Sequence, residues 1–198
     1  MEYELRPYQS EIEFLNYSYN AFLDNYEEIR EDSFWNNTPY YRLSKMRDVV
    51  LIYTEILEYE PIQWYIDALK KLRPPMEAEL SKDYIEFIRN VLVHFPFYNT
   101  WDTVKLSKEL INWSKPGKSI DRFLHKYSGH PEIKYRIWDK KKKAFTYVSV
   151  SFPPKYDSEI GIYLKDIMPE KEGFIFIISL MHSVMMSQVE RIKLPNGV

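Results

Sequence analysis

Apolar residues recur at intervals of three and four along most of the chain, which is typical of helices buried on one side. The pattern predicts a first helix over about residues 8–31 and its clearest helix over about residues 76–94. Shorter amphipathic stretches lie between them, separated by the breaker at 36–39 and by Pro61. Pro96 must end or kink the long helix, because its ring clashes with the carbonyl four residues earlier. These elements indicate a helical bundle.

Three further helices are expected after Pro96. Asn99, with Asp102 three residues later, resembles a capping box and predicts a helix from there to near Trp113. A short helix is expected over residues 119–127. Residues 172–192 also read as a helix, apolar nearly all round in its first half, which places it in a bundle or at a subunit interface.

The period changes to partial alternation between residues 132 and 152. Residues 133–138 and 144–152 are rich in aromatic and β-branched side chains, and a polar turn separates them. This pattern predicts a β-hairpin. The expected fold class is therefore mainly α, a helical bundle with an inserted or appended β-hairpin at about 132–152, forming a single domain over residues 1–198.

Composition narrows the class of protein further. The chain has 198 residues, of which 45% are hydrophobic and 17% aromatic, so it can bury a core and is not a disordered chain. It has no cysteine, which excludes a disulfide scaffold, a thiolate zinc site and a cysteine nucleophile. The longest apolar stretch, residues 174–186, is shorter than the roughly 20 residues of a membrane helix. With an acidic, polar start at Met1–Glu4, these features predict a cytoplasmic protein without membrane contact.

Charge is unevenly distributed, although the formal net charge is only −2. Residues 1–33 carry nine acidic side chains against two arginines, whereas residues 115–143 carry ten lysines or arginines against three acidic side chains. The basic segment could attract phosphate. Two solvated surfaces of opposite sign explain the same pattern, and the sequence leaves both interpretations open.

One motif carries chemistry: Arg89-Asn90-Val91-Leu92-Val93-His94, or R-N-x-x-x-H, at the end of the long helix. Helix geometry sets Arg89 roughly opposite the apolar face with Asn90 beside it, and His94 at the boundary of that face. Asn90 and His94 are i,i+4 neighbours, so their side chains can form a hydrogen bond. The side chains of Arg89 and His94 point about 140° apart around the helix axis and are separated by about 7.5 Å along it. A site that uses both side chains therefore needs a distorted helix or a second subunit. A purely structural alternative stays open, in which Arg89 pairs with Glu86 and His94 satisfies the helix C-terminus.

Arg89, Asn90 and His94 resemble the signature of the HEPN superfamily, the higher eukaryotes and prokaryotes nucleotide-binding domains. That motif is an arginine, usually followed by a polar residue, and a histidine separated from the arginine by four to six positions, of which this chain has four. The resemblance implies a helical bundle and, as in many members, a metal-independent endoribonuclease with a composite site at a homodimer interface. It also implies a setting in phage defence, abortive infection or a toxin–antitoxin system, with an antitoxin or other regulatory protein as a further partner. The resemblance covers about residues 8–127 and leaves out the hairpin.

The residue types suit RNA cleavage by the 2′-hydroxyl of the substrate. Histidine titrates near neutral pH, so two copies of His94 could act as base and acid. Arg89 would hold the phosphate, and Asn90 would orient His94 or the phosphate. No cofactor and no metal are expected. The alternative function is a non-catalytic helical interaction module, or a nucleotide- or RNA-binding module.

A second set of residues is predicted to bind RNA through the hairpin. It consists of the basic side chains Lys134, Arg136, Lys140, Lys141, Lys142 and Lys143. Tyr135, Trp138, Phe145 and Tyr147 lie nearby in the sequence and could supply surfaces on which bases stack. A solvated lysine-rich turn is the simpler explanation of the same residues.

Overall fold

The computed structural model describes residues 9–57, 59–111, 114–130, 132–139 and 143–192. These residues form a mainly helical protein with a small antiparallel hairpin, so the predicted fold class of a helical domain with a β-hairpin is confirmed. The single domain over 1–198 stays a prediction. No helix in the described ranges combines the length and the apolar character that crossing a bilayer requires.

Five helices build the bundle, and their positions confirm the predictions made from the periodicity of the sequence. They are α1 (Gln9–Arg30), α2 (Pro39–Leu57), α3 (Glu60–Lys71), α4 (Pro75–His94) and α8 (Glu170–Ile192). The α1 helix packs against α2 and α8, and α4 packs against α2 and α3. Fully buried side chains such as Phe22, Val50, Tyr84 and Phe176 fill the space between them. The α4 helix ends at His94, two residues before Pro96, as expected.

The α6 helix (Lys115–Tyr127) covers one side of α4. Its start is capped by Ser114, whose Oγ accepts a hydrogen bond from the backbone N–H of Gly117 at 3.2 Å. The ring of Phe123 stacks on Phe87 of α4. One turn later in α6, Lys126 Nζ lies 2.6 Å from Asp83 Oδ2. Because later residues of α6 meet earlier residues of α4, the two helices are antiparallel.

The hairpin consists of β2 (Glu132–Asp139) and β3 (Ala144–Ser151). Its register places Lys134 opposite Ser149, Arg136 opposite Tyr147 and Trp138 opposite Phe145. Directly opposed residues of an antiparallel pair point to the same face. The inner face is therefore formed by Ile133, Tyr135, Ile137, Thr146, Val148 and Val150, which are buried or half-buried.

The prediction of one helix from Asn99 to near Trp113 is wrong. This segment is a 3-10 turn (Trp101–Thr103), the short strand β1 (Lys105–Leu106) and one helical turn, α5 (Lys108–Ile111). Trp113 lies outside the described residues. Two long-range interactions outweigh the local capping signal: the indole of Trp101 donates to the carbonyl of Met168 at 2.8 Å, and β1 pairs with β4 (Ile162–Tyr163). A further turn, α7 (Leu164–Ile167), follows β4 directly.

Candidate functional site

The motif residues Arg89, Asn90 and His94 all lie in the last two turns of α4, but in three different environments. Arg89 is half-buried, Asn90 is buried at 5% exposure, and His94 is exposed at the last position of the helix. The helix is regular through His94. Arg89 and His94 therefore diverge by about 140° around the helix axis, as their spacing predicts.

Arg89 has neither an ion pair nor a side-chain hydrogen bond in the described part of the chain. Its nearest carboxylate in sequence, Glu86, instead accepts a hydrogen bond from Ser119 Oγ of α6 at 3.1 Å. The Arg89–Glu86 ion pair of the structural alternative does not form. A half-buried guanidinium without an anion is a ready partner for a phosphate or carboxylate, because its five N–H donors stay available.

The position of Asn90 beside Arg89 in the helical projection suggested that Asn90 lies on an open polar face. In the structure Asn90 is buried instead. Asp83, Glu86 and Phe87 all contact α6, and helix geometry places Asn90 on the same face of α4, one turn after Phe87. No hydrogen bond joins Asn90 to His94 or to another side chain within the described ranges. The packing of α6 could not be read from the periodicity of α4.

His94 borders an open hollow of about 500 Å³ beyond the end of α4. Tyr98, Lys105, Ser107 and Glu109 line the same hollow. The Ser107 hydroxyl donates to Glu109 Oε2, and this hydrogen bond lowers the pKa of that carboxyl. Sequence reasoning missed this group because it assigned residues 99–113 to one helix, whereas the β1 strand is what brings Lys105 beside His94.

The predicted RNA-binding residues Lys134 and Arg136 both lie on the outer face of the hairpin. We define the outer face by the alternate residues that point away from the bundle: Glu132, Lys134, Arg136, Trp138, Phe145, Tyr147, Ser149 and Ser151. Lys134 is exposed, with its ammonium 3.9 Å from a Glu132 carboxylate oxygen. The Arg136 guanidinium lies 4.9 Å from the centre of the Phe145 ring. Cations and aromatic rings thus lie next to each other on one surface.

Three aromatic rings of the outer face are at least half exposed to solvent: Trp138 at 50%, Phe145 at 56% and Tyr147 at 64%. Soluble domains rarely leave large rings grouped in this way without a partner, because clustered apolar surface favours association. Tyr135 is not part of this surface. It is buried on the inner face, because the register alternates strictly along β2.

Of the four consecutive lysines at the hairpin turn, the structure describes only the last, Lys143. Lys143 is exposed, and its φ of 49° lies in the left-handed region that turns favour. Lys140, Lys141 and Lys142 lie outside the described residues, so their predicted RNA contacts stay predictions.

Fold and site together define a mainly helical protein with a histidine and an unpaired arginine at the end of one bundle helix, and a basic, aromatic hairpin. No protein-family model, no curated protein and no solved structure matches this chain. The resemblance to the HEPN superfamily therefore rests on the motif alone and stays a prediction. Within the described ranges no three His, Asp or Glu side chains cluster as metal ligands would, and the expected independence from metals stays a prediction.

Proposed function

We propose that this protein is a metal-independent endoribonuclease of the HEPN type that acts as a homodimer. The observation that carries the proposal is the state of the motif: Arg89 has no anionic partner in the described chain, although it is half-buried. An arginine held without its anion is what a phosphate-binding site requires before substrate arrives. His94, which supplies the proton chemistry, is exposed at the end of the same helix.

A second subunit is part of the proposal because one chain does not offer a complete site. In a regular helix the side chains of Arg89 and His94 point about 140° apart. Two antiparallel copies of α4 related by a two-fold axis would bring two His94 side chains and two Arg89 side chains to one region. Val93 supports a dimer interface at this position, since it is an apolar residue beside Arg89 that is only half-buried in one chain.

The chemistry follows from these groups. One His94 imidazole takes the proton from the 2′-hydroxyl, whose oxygen attacks the adjacent phosphorus. Arg89 stabilises the charge on the non-bridging phosphate oxygens as the phosphorane forms. The bond from phosphorus to the 5′-oxygen breaks, and the second His94, as imidazolium, gives that oxygen its proton. The products are a 2′,3′-cyclic phosphate and a 5′-hydroxyl, so no water molecule is consumed.

Two further features support RNA as the substrate. The outer face of the hairpin offers cations for phosphates and exposed rings for bases, which is how many proteins hold single strands. Lys105 lines the hollow beside His94 and could neutralise a neighbouring phosphate. The setting in phage defence or a toxin–antitoxin system, with an antitoxin or other regulator in the cytoplasm, rests on the resemblance alone.

The test is cleavage of a defined single-stranded RNA by the purified protein in the presence of a chelator. We expect His94→Ala and Arg89→Ala each to lower the rate by about 100- to 10,000-fold. His125→Ala is the matched control, because His125 is exposed on α6 next to Lys126, which pairs with Asp83 about three turns before His94. A substrate with a single 2′-deoxy nucleotide at the cleaved position should resist cleavage there.

Expression in bacteria gives the same test without a chosen substrate. Wild type should stop growth and fragment RNA, and His94→Ala should do neither. Equal toxicity of both forms would assign His94 a structural role. If neither form acts, even under phage challenge, and purified wild type leaves every RNA intact, the nuclease proposal is wrong.

The second candidate function is a non-catalytic RNA-binding module, which the outer face of the hairpin favours specifically. In that case wild type would bind single-stranded RNA without cleaving it. Binding would fall in Trp138→Ala and Tyr147→Ala and would be unchanged in His94→Ala. A protein-interaction module would bind no RNA and ignore all three substitutions.

A further inference from the structure

Two hollows adjoin at Tyr135: the first lies among the helices with Tyr135 as its one described hairpin residue, and the second lies between the inner side of the hairpin and the bundle. One has a volume of about 140 Å³ and the other about 240 Å³. Both are bordered by Arg73, Tyr135, Leu180 and Ser183, so they share a wall. We call the two together the hairpin cleft. It is separate from the hollow beside His94, which shares none of these residues.

The charge lining the hairpin cleft has one sign. Its described walls carry the cationic side chains Arg30, Lys70, Arg73 and Lys82, together with His182, and no described aspartate or glutamate lines either hollow. Arg73 pairs with Glu77 at 3.4 Å and Lys70 with Asp67 at 2.7 Å, which partly offsets their charge, whereas Arg30 and Lys82 have no ion pair in the described ranges. A concave site lined by like charges within low-dielectric walls focuses a positive potential, which attracts an anion.

Arg73 lies on the wall that the two hollows share, and Arg30 lines the larger hollow beside the ring of Tyr26. Arg73 donates one hydrogen bond to the carbonyl of Arg136 at 2.9 Å and one to Glu77, which leaves part of its five-donor fork free. Arg30 donates to the hydroxyl of Tyr26. Two arginines with spare planar donors match the geometry of phosphate better than lysines would.

Flat aromatic surfaces form the other part of the cleft. The rings of Tyr26 and His182 stack with centroids 4.1 Å apart and planes 8° from parallel. Both rings line the larger hollow. Hydroxyl groups of Thr146, Ser179 and Ser183 lie among these rings and can donate or accept hydrogen bonds.

We infer that the hairpin cleft binds a mononucleotide, with its base against the aromatic side of the larger hollow and its phosphate on Arg73 and Arg30. A nucleotide combines the two features that the lining selects, a flat ring with polar edges and a compact anion. Small-molecule sites are concave and mostly apolar with a few placed polar groups, and the cleft has this character. The inference does not depend on Arg89, on His94 or on the proposed nuclease activity.

The test is calorimetric titration of the purified full chain with AMP, GMP, CMP and UMP in turn. At least one should bind, and the matching nucleoside and inorganic phosphate should each bind at least about tenfold more weakly, because each lacks one of the two contacts. Arg73→Gln and Arg30→Gln should each weaken nucleotide binding by about tenfold or more. Arg30→Gln is the cleaner variant, since Arg73 also ties the hairpin to the bundle and its loss could move β2.

Arg122→Gln is the matched control, an exposed arginine on α6 that does not line the cleft, and it should leave binding unchanged. Arg89→Ala and His94→Ala should also bind as wild type does, which separates this site from the proposed active site. The inference is wrong if no mononucleotide binds, or if binding survives in both Arg30→Gln and Arg73→Gln. Inorganic phosphate binding as tightly as the nucleotides would also overturn it, because the cleft would then be an anion site without a base pocket.

Discussion

The rings of Phe123 and Phe87 lie face to face, with centroids 4.3 Å apart and planes 17° from parallel, and they join α6 to α4. Phe123 also meets the rings of Tyr84, Tyr127 and Phe152, so one side chain connects both helices to the end of the hairpin. This cluster holds α6 over Asn90. The environment of the candidate site thus depends on a hydrophobic contact one turn away.

Phe123→Ala should therefore be among the most damaging substitutions in the chain. We expect the free energy of unfolding to fall by about 3–5 kcal/mol, through lost burial and the cavity that remains. Urea denaturation followed by circular dichroism measures it. Phe145→Ala is the matched control, because its ring is 56% exposed and its loss should cost less than about 1 kcal/mol. Similar losses for both variants would contradict the packing described here.

Gly117→Ala should destabilise the start of α6. A Cβ at this position would lie 2.3 Å from the carbonyl oxygen of Ile111, and backbone cannot move aside as a flexible side chain can. We expect a loss of about 1–3 kcal/mol, typical of overpacking. Lys118→Ala, one residue later and exposed, should change the thermal midpoint little. A Gly117→Ala variant as stable as wild type would contradict this close approach, because it would show that the backbone of Ile111 leaves room for a Cβ.

The outer face of the hairpin should bind single-stranded RNA through both rings and charges. Trp138→Ala and Tyr147→Ala should each weaken binding by about 1–3 kcal/mol, or roughly 5- to 150-fold, as expected for the loss of one stacked base. Lys134→Gln should lower the slope of log affinity against log salt by about 0.7 to 1. Fluorescence anisotropy at several salt concentrations measures both effects. Lys165→Gln, on α7, is the control, and equal effects there would indicate non-specific attraction.

Glu28 should contribute stability that depends on pH. Partial burial alone would raise the pKa of Glu28, but hydrogen bonds from Tyr41 and Lys45 outweigh it, so the pKa lies below its usual value of 4.5. A lowered pKa in the folded state adds stability above the unfolded pKa and loses it as the pH falls through the folded value. Because the pair is partly exposed, we expect Glu28→Gln to cost at most about 1 kcal/mol at pH 7.

Urea midpoints of wild type and Glu28→Gln should therefore differ at pH 7 and converge as the pH falls below 4.5. Glu55→Gln removes an exposed carboxylate of α2 and serves as the comparison. A difference between wild type and Glu28→Gln that stays constant down to acidic pH would mean that the contribution is not electrostatic.

Local patterns predicted the elements that position the motif. The spacing of apolar residues along α4 and the proline after His94 fixed where that helix ends, and alternation over 133–138 identified the hairpin. These features depend on neighbours in sequence, which is why they can be read without a structure.

The environment of the motif could not be predicted in the same way. Asn90 is buried because α6 packs over it, and Lys105 lies beside His94 because β1 pairs with a strand far along the chain. Both are tertiary effects. The indole of Trp101 illustrates the same point, since its bond to the Met168 carbonyl overrides a capping signal that looked sound locally.

The pairing of β1 with β4 has a consequence for how the chain folds. Leu106 and Ile162 are partners although 56 positions separate them, and the ladder that joins them is two residues long. Closing so long a loop costs entropy that two residue pairs cannot repay by themselves. The ladder should form only after α6 and the hairpin have reached their places, which makes it a late event on the folding pathway. Contacts between residues far apart in the sequence slow folding. The rate at which the ladder forms should therefore respond more to substitutions in α6 than to substitutions in the ladder itself.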